Sequence, residues 1–529
     1  MRISLLLAVG LAVGLMVGGM VSAQAIKEGG TLRIGTPTDA ASLDPHENTA
    51  ANSAWVYNNI YEPLVLLDNN LKLQPWLATS WEQVNDTTWR FHLRHGVTFT
   101  DGTPFDASAV KFNIDRTIDP KNPGRGASWI GPIVGAKVID PYTVDIMTSS
   151  PDPALLNALS MKFVLGMVSP AAVKKYGQDF GHHPVGTGPY MLKEWVNNDH
   201  ITLVQNPNYW GQKPHIASIE FKVIPDDGSR LLAFQNKEID MLLNPTPVQL
   251  QVIRAMPNVQ VHSAPGVRLD YLGLNASQAP MNDVHVRQAI AYAVNVKAIN
   301  QQVMKGIADP PESFEVSGAF GFKNEHLAER YAYNPARAKQ LFAQAGWKDT
   351  DNDGILDKNG QDLKVNFIMS PGRDPGDKQV AQVIQQQLHD AGVQVNLKFM
   401  EWAPYLAVLK DHSDQYGMYF LGWSTLTLDS DFGLNSLFNS ANIPPKGVNR
   451  MHYDNPKVDA LLNAAQSDLN TQQRASQYGQ VQDILANDMP MVPLYHLRQI
   501  VVTQPWVMDY TMNPAEYYVT TITNAWLNR

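Results

Sequence analysis

Apolar and polar residues alternate in many short stretches of the chain, and this period of two predicts strands. The predicted strands cover residues 31–35, 81–84, 88–93, 190–195, 201–205, 219–224, 267–275, 365–369, 393–400 and 492–503. Asn85-Asp86 separates the second strand from the third, which is typical of a hairpin turn.

Apolar residues spaced three or four apart predict helices over 53–64, 107–116, 228–236, 284–307, 335–345, 376–391, 456–465 and 472–487. Asp106 is placed to cap the second helix, and Gly346 to end the fifth. Strands and helices alternate between residues 335 and 400, which indicates parallel strands and an α/β fold class.

The N-terminus has the three parts of a secretory signal. Met1-Arg2 is followed by an apolar run to Val21 and by the small residues Ser22-Ala23-Gln24-Ala25. We predict a signal peptide over residues 1–25, with cleavage after Ala25 or Ala23, and a membrane anchor is the alternative. The chain has no cysteine, so no disulfide and no lipid-modified Cys is expected. We therefore expect a soluble periplasmic protein.

Composition narrows the function further. The 529 residues are 44% hydrophobic and carry a formal net charge of -9, without a basic stretch suited to nucleic acid. No G-x-S-x-G or H-E-x-x-H motif is present, so neither catalysis nor a cofactor is expected. A hydrolase with paired carboxylates remains an alternative.

Several blocks along the chain carry a family signature. They are Tyr61-Glu62-Pro63-Leu64, Leu77–Trp81, the run from Phe91 to Phe105 containing Thr100-Asp101-Gly102-Thr103-Pro104, Val185–Tyr190, Asn206–Trp210, Val286–Ile290, Ala343–Trp347, Gly422-Trp423, Asn455–Asp459 and Pro493–Tyr495. Together they resemble extracellular solute-binding protein family 5, the dipeptide, oligopeptide, glutathione and nickel carriers.

The resemblance implies a two-lobed periplasmic-binding-protein clamp with an extra subdomain. Lobe I would comprise residues 26–60, 185–268 and 500–529, the extra subdomain residues 61–184, and lobe II residues 269–499. Two strands, near 267–275 and 492–503, would cross between the lobes, and ligand in the cleft would draw them together.

The function that this resemblance implies is ligand capture for an ABC importer. The protein would act as a monomer and deliver a peptide or peptide-like ligand to membrane permease subunits. A nickel-chelate or other small-solute carrier of the same fold, and a peptide-holding or sensory role, remain alternatives.

Arg373 is the best candidate for a ligand carboxylate. It follows the strand 365–369, and ligands favour positions beyond the carboxyl ends of parallel strands. The planar guanidinium can bind both carboxylate oxygens. In dipeptide carriers of the resembled family, an Arg in this loop has that role.

The segment after Trp423 departs from the peptide-carrier pattern. Those carriers place an Asp three residues after this Trp to pair the ligand ammonium, and here that position is Leu426. Asp429 and Asp431 could supply the charge instead, or could be a helix N-terminus or surface acids. The stretch resembles the glutathione-binding branch, which implies a γ-glutamyl or otherwise modified peptide.

Further binding candidates are weaker. The resemblance implies a cleft wall at Trp423 and Ser424, with Trp402 and Tyr405 as similar candidates on the preceding helix, and contacts from His46, Thr49 and Asn52 on the facing lobe. Asp349, Asp351 and Asp353 resemble the start of a calcium loop, but position twelve is Gly360, so we expect an acidic turn and no metal site.

Overall fold

The computed structural model describes residues 25–513 and 522–529. The predicted signal peptide lies outside the described residues, apart from Ala25. Within the described part of the chain, no helix has both the length and the apolar character of a membrane span.

A mixed sheet runs through the molecule, and eleven strands of the described residues belong to it. From one edge to the other, ten strands follow the order Gln394–Phe399, Lys364–Met369, Met418–Ser424, Gln260–Leu274, Met491–Thr503, Met241–Leu243, Thr31–Thr36, Ser218–Val223, His200–Gln205 and Tyr190–Val196. The eleventh, Ala308–Asp309, pairs with Met491–Thr503. Both strands predicted to cross between lobes lie at the centre of this sheet and pair with each other in antiparallel register.

Three parallel strands end at the same edge of the sheet. Lys364–Met369 pairs in parallel with both Gln394–Phe399 and Met418–Ser424. The loops that follow these strands therefore converge, as the α/β prediction requires.

A separate antiparallel sheet has the order Ala78–Asn85, Thr88–Leu93, Thr143–Thr148 and Ile133–Asp140. Its first two strands form the predicted hairpin. Short two-stranded pairings join Val65–Leu67 to Leu73–Pro75, Asp357–Lys358 to Gln361–Asp362, and Val507–Met508 to Trp526–Leu527.

The α-helices of the described residues mostly follow the prediction. They are Ala51–Tyr57, Ala107–Thr117, Leu155–Ala158, Lys162–Leu165, Pro170–Tyr176, Asp227–Gln235, Pro247–Arg254, Val284–Ala293, Val296–Ala298, Leu327–Arg330, Pro335–Gln344, Asp377–Asp390, Trp402–Asp411, Ser436–Phe438, Pro456–Ser467 and Thr471–Asp488. Asp106 caps its helix through the backbone N–H groups of Ser108 and Ala109.

Two predicted helix bounds are wrong. The helix expected over 53–64 ends at Tyr57, where the Asn59 side chain donates to the carbonyl oxygens of Trp55 and Val56. The helix expected over 284–307 ends at Ala293, because Val294 is extended and Asn295 starts a new turn. In both places an Asn side chain bonds to the nearby backbone and offers it an alternative to helix continuation.

Two large hydrophobic cores divide the molecule. One core gathers buried residues from Leu32 to Phe221 with residues 501–527, and the other gathers residues 233–502. We call the two bodies the first lobe and the second lobe. Between Ala233 and Ile253 the chain contributes to both cores, since Leu242 and Leu250 belong to the second core while Met241 and Leu243 belong to the first. The predicted boundary assigns this whole segment to lobe I.

The two lobes touch on the side of the sheet where the loops converge. Leu67 packs in a small apolar cluster with Val267, Val316, Ala319 and Leu428. The Asn157 side chain of the first lobe also donates a 2.8 Å hydrogen bond to the Thr427 carbonyl of the second. These contacts join the two lobes.

Candidate functional site

A cavity of about 330 Å³ lies at the edge where the three parallel strands end. Both lobes contribute to it, since Trp129 of the first lobe faces loops of the second. Six predicted site residues line this first cavity: Arg373, Trp402, Tyr405, Trp423, Ser424 and Leu426.

The loop that carries Arg373 is fixed by one carboxylate. Asp377 accepts hydrogen bonds from the backbone N–H groups of Gly372 at 3.1 Å, Arg373 at 2.9 Å and Asp374 at 3.3 Å. The Arg373 guanidinium lies 4.0 Å from the centre of the Trp402 ring. No carboxylate of the described chain pairs with this guanidinium, so stacking holds it while its N–H donors remain available.

A second arginine of the first cavity, Arg268, has partners within the protein. Its guanidinium donates to Asp374 and lies 3.2 Å from an Asp270 carboxylate oxygen. Burial raises the pKa of Asp270 to about 8, although the positive charge of Arg268 opposes this rise. Both acids therefore hold the Arg268 guanidinium within the protein.

A third arginine, Arg450, also lines the first cavity. Its backbone carbonyl accepts the Tyr416 hydroxyl at 2.8 Å, but its guanidinium pairs with no carboxylate in the described residues. Three arginines thus line the first cavity together with two acids, Asp374 and Asp377. The first cavity therefore carries excess positive charge and suits a carboxylate ligand.

Aromatic rings form the walls of the first cavity. Trp423 stacks on Phe432 at 5.5 Å between ring centres, and its indole N–H donates to the Phe432 carbonyl at 3.2 Å. Trp129 meets Phe432 edge to face at 6.2 Å from the opposite lobe. The Tyr405 hydroxyl donates to the Phe420 carbonyl at 2.6 Å, so Tyr405 offers mainly its ring to a ligand.

A second cavity of about 540 Å³ adjoins the first and shares Trp129, Trp423 and Phe432 with it. Asp431, a predicted site residue, lines this second cavity. Asp152 faces it from the first lobe.

Asp429 lies elsewhere. It lines neither cavity as far as the chain is described, and Arg474 donates to its two oxygens at 2.7 and 2.6 Å. Both side chains are only 3% exposed, so this is a buried ion pair and not a surface acid.

The three candidates on the first lobe lie apart from these cavities, so far as the described residues define their linings. His46 is buried beside Arg116, at 3.0 Å, and burial lowers its pKa to about 4. Asn52 donates to the Asp39 carbonyl, and Thr49 is partly exposed. Their contact with ligand stays a prediction.

Asp349, Asp351 and Asp353 form an exposed cluster whose oxygen atoms lie within 4.8 Å of one another. Thr350 bonds to Asp357 through both its N–H and its hydroxyl, which closes the turn. The segment is an exposed turn whose three acids are close enough to hold one cation together, so the expected absence of a metal site stays a prediction.

Sequence reasoning missed several lining residues. Arg268 stood in a predicted strand beside Asp270, and two charges in a strand expected at the hinge were a signal for it. Arg450 and Asp152 lie in stretches without a predicted element, and no pattern indicated them.

Known proteins resemble this chain over most of its length. The chain is 29% identical to the glutathione-binding protein GsiB of Salmonella paratyphi A, over 87% of this chain and 88% of the relative. The structure of NikA from Brucella suis in complex with Fe(III)-EDTA matches with a TM-score of 0.84 at 27% identity, over 94% of this chain and 100% of that chain. DppA from Helicobacter pylori in complex with the peptide STSA matches with a TM-score of 0.76 at 26% identity, over 95% and 99%.

These matches confirm the mixed α/β, periplasmic-binding-protein fold that the sequence predicted. A family model also matches residues 72–445, which include the Phe91–Phe105 signature, the Arg373 loop and the Trp423 segment. The chain belongs to the bacterial extracellular solute-binding proteins, family 5.

Proposed function

We propose that this protein is the periplasmic substrate-binding component of an ABC importer. It captures a small ligand that carries a carboxylate between its lobes and delivers it to membrane permease subunits. It works as a soluble monomer without a lipid anchor, and hinge closure about the two long central strands accompanies binding. The observation that carries the proposal is the excess of arginines in the first cavity, with Arg373 and Arg450 unpaired among the described residues.

The proposed ligand is a small peptide or a glutathione-like compound. The named ligands of GsiB and DppA support this class. Leu426 lines the first cavity and offers no charge to an ammonium group there. A ligand whose amine lies away from this position, such as a γ-glutamyl peptide, is therefore favoured over a simple dipeptide.

A chelate of a metal ion is the second candidate. NikA, one of the structural matches, was solved with Fe(III)-EDTA, a complex rich in carboxylates. The same two unpaired arginines would suit such an anion, and the chelator would supply the metal ligands itself.

Thermal unfolding of the purified mature protein with a ligand panel tests the proposal. Reduced glutathione at 100 times its dissociation constant should stabilise the protein by about 2.7 kcal/mol, which appears as a rise in Tm of several degrees. Dialanine should give a smaller rise, and a nickel–histidine complex tests the second candidate.

Small-angle scattering and product analysis accompany the same panel. The ligand that raises the Tm should also decrease the radius of gyration, and it should be recovered intact. If no panel member raises the Tm, the proposed function is wrong. Turnover of a peptide would instead favour the hydrolase alternative.

A further inference from the structure

The second cavity has polar side chains that the proposed carboxylate recognition does not use. Asp152 is 6% exposed and Thr427 is 4% exposed, and both line this cavity. Asp152 comes from the first lobe and Thr427 from the second. A group held between them would therefore contact both lobes at once.

Each of these side chains has an oxygen without a hydrogen-bond partner in the described structure. One Asp152 carboxylate oxygen accepts the Ala154 N–H at 2.9 Å, and the other has no partner. The Thr427 hydroxyl also has none. A buried polar atom without a partner is costly, so a missing ligand group is a natural explanation for two of them in one cavity.

The backbone beside Asp152 makes room for the unpaired oxygen. Gly131 lines the same cavity with a φ of +68°, and a Cβ at this position would lie 2.6 Å from that oxygen. Only glycine allows both this conformation and this approach.

The charges around the second cavity are mostly negative. Asp152, Asp429 and Asp431 lie near Arg474, and both terminal nitrogens of Arg474 already bond to Asp429. Among the described residues, the hydrogen bonds that Asp431 accepts come from side-chain amides, those of Asn435 at 3.2 Å and of Gln466. Lys446 is exposed where it lines the cavity.

The two acids that line the second cavity have raised pKa values. Burial raises the pKa of Asp152 to about 6. Burial, and then the negative charge of Asp429, raise the pKa of Asp431 to about 7. Burial also raises the pKa of Glu315 to about 7, but Glu315 lies near Asp429 and outside the lining of this cavity. A bound cation would replace the protons that Asp152 and Asp431 hold near neutral pH.

We propose that the second cavity is a subsite for an organic ammonium group of the ligand, bound by Asp152 and Asp431, with the Thr427 hydroxyl as a third acceptor. This inference rests on the proposed function. Trp129, Trp423 and Phe432 add aromatic rings to the lining of this cavity, and aromatic rings attract an ammonium group. A metal ion fits less well, because these acids form no group of three with ligand atoms within 4.8 Å in the described residues.

The two cavities then divide one ligand between them. Its carboxylate lies against Arg373 and Arg450, and its amine passes the Trp423–Phe432 wall to reach Asp152 and Asp431. Leu426 carries no negative charge for the ammonium group, and Asp152 and Asp431 supply that charge instead. A ligand whose amine and carboxylate lie well apart is required.

Matched probes with free and blocked amines test the subsite. Calorimetry at pH 7.5 compares reduced glutathione and trialanine with their N-acetyl derivatives on the wild type, Asp152→Asn and Asp431→Asn. The wild type should bind a free-amine probe roughly tenfold or more tightly than its N-acetyl derivative. Each variant should lose most of this preference while it binds the acetylated probe as before.

Proton release gives a second readout. Binding of the free-amine probe to the wild type at pH 6.5 should release protons, because the ammonium selects the ionised carboxylates. Titration in two buffers of different ionisation enthalpy measures this release, which both variants should reduce. Asp390→Asn is the control, because Asp390 is an exposed acid on the helix Asp377–Asp390. This variant should change neither the preference for the free-amine probe nor the proton release.

The outcomes separate the two proposals. If the wild type binds free and acetylated probes equally, or both variants keep the preference, the ammonium subsite is wrong and the importer proposal stands. If no probe binds the wild type at all, the peptide-like ligand is wrong, and the subsite is wrong with it.

Discussion

Replacement of Arg474 by Met is expected to destabilise the protein by about 3–5 kcal/mol, because it leaves Asp429 as an unpaired buried charge. Arg474 also donates to the Ala465 carbonyl at 2.9 Å and lies 4.7 Å from the centre of the Phe320 ring. Urea denaturation at pH 8 measures the loss.

A double-mutant cycle separates the ion pair from the packing. Adding Asp429→Asn to Arg474→Met should recover part of the lost stability, because the unpaired charge is gone. Arg337→Met on the exposed face of the helix Pro335–Gln344 should stay within about 0.5 kcal/mol of the wild type. Equal free energies of unfolding for the Arg474 variant and the wild type would show that Asp429 needs no counter-ion.

The strands were predictable because their pattern reflects burial on a sheet. In Lys364–Met369, for example, Val365 and Phe367 are buried while Lys364 and Asn366 are exposed. The register between distant strands was not predictable from this local pattern. Arg268 meets Asp374 only because the sheet places residues 106 positions apart side by side.

Residues of the family signature contribute more to the stability of the fold than to contacts with the ligand. Glu62 of the Tyr61–Leu64 block is buried and accepts hydrogen bonds from four side chains. Its donors belong to other signature blocks or their neighbours: Trp76, Thr187, Tyr209 and Trp210. The blocks Tyr61–Leu64, Val185–Tyr190 and Asn206–Trp210 therefore meet in one hydrogen-bond network of the first lobe, which explains why these three occur together.

The candidate site was predictable only in part, because local sequence patterns do not show which distant residues meet. Arg373 could be found because it follows a parallel strand, and the rule for strand ends is local. Trp423 was found through the family resemblance, and it lies within the strand Met418–Ser424. Asp429 and Asp431 are two residues apart in the chain, yet one pairs with Arg474 and the other faces a cavity. Sequence spacing alone does not separate those two environments.

Replacement of Arg373 by Ala is expected to weaken binding of a carboxylate ligand by about 2 kcal/mol or more, which is roughly thirtyfold in Kd. The guanidinium stacks on Trp402 and pairs with no carboxylate among the described residues, so the loss should come from the ligand contact. The Tm of the ligand-free protein should change little. Arg373→Lys should recover only part of the affinity, because an ammonium cannot bind both carboxylate oxygens in a planar fork.

Arg450→Ala is the companion variant. Calorimetry with reduced glutathione measures the ligand affinity of both variants. If the two arginines share one ligand carboxylate, the double variant should lose less than the sum of the single losses, because groups that bind one anion act together. Arg337→Ala, far from either cavity lining, is the matched control for the loss of one positive charge.

Unchanged affinity in the Arg373 variant would remove this residue from the site and leave Arg450 as the carboxylate partner. Unchanged affinity in both variants would contradict the reading of the first cavity as an anion site, because its remaining arginine, Arg268, already pairs with Asp374.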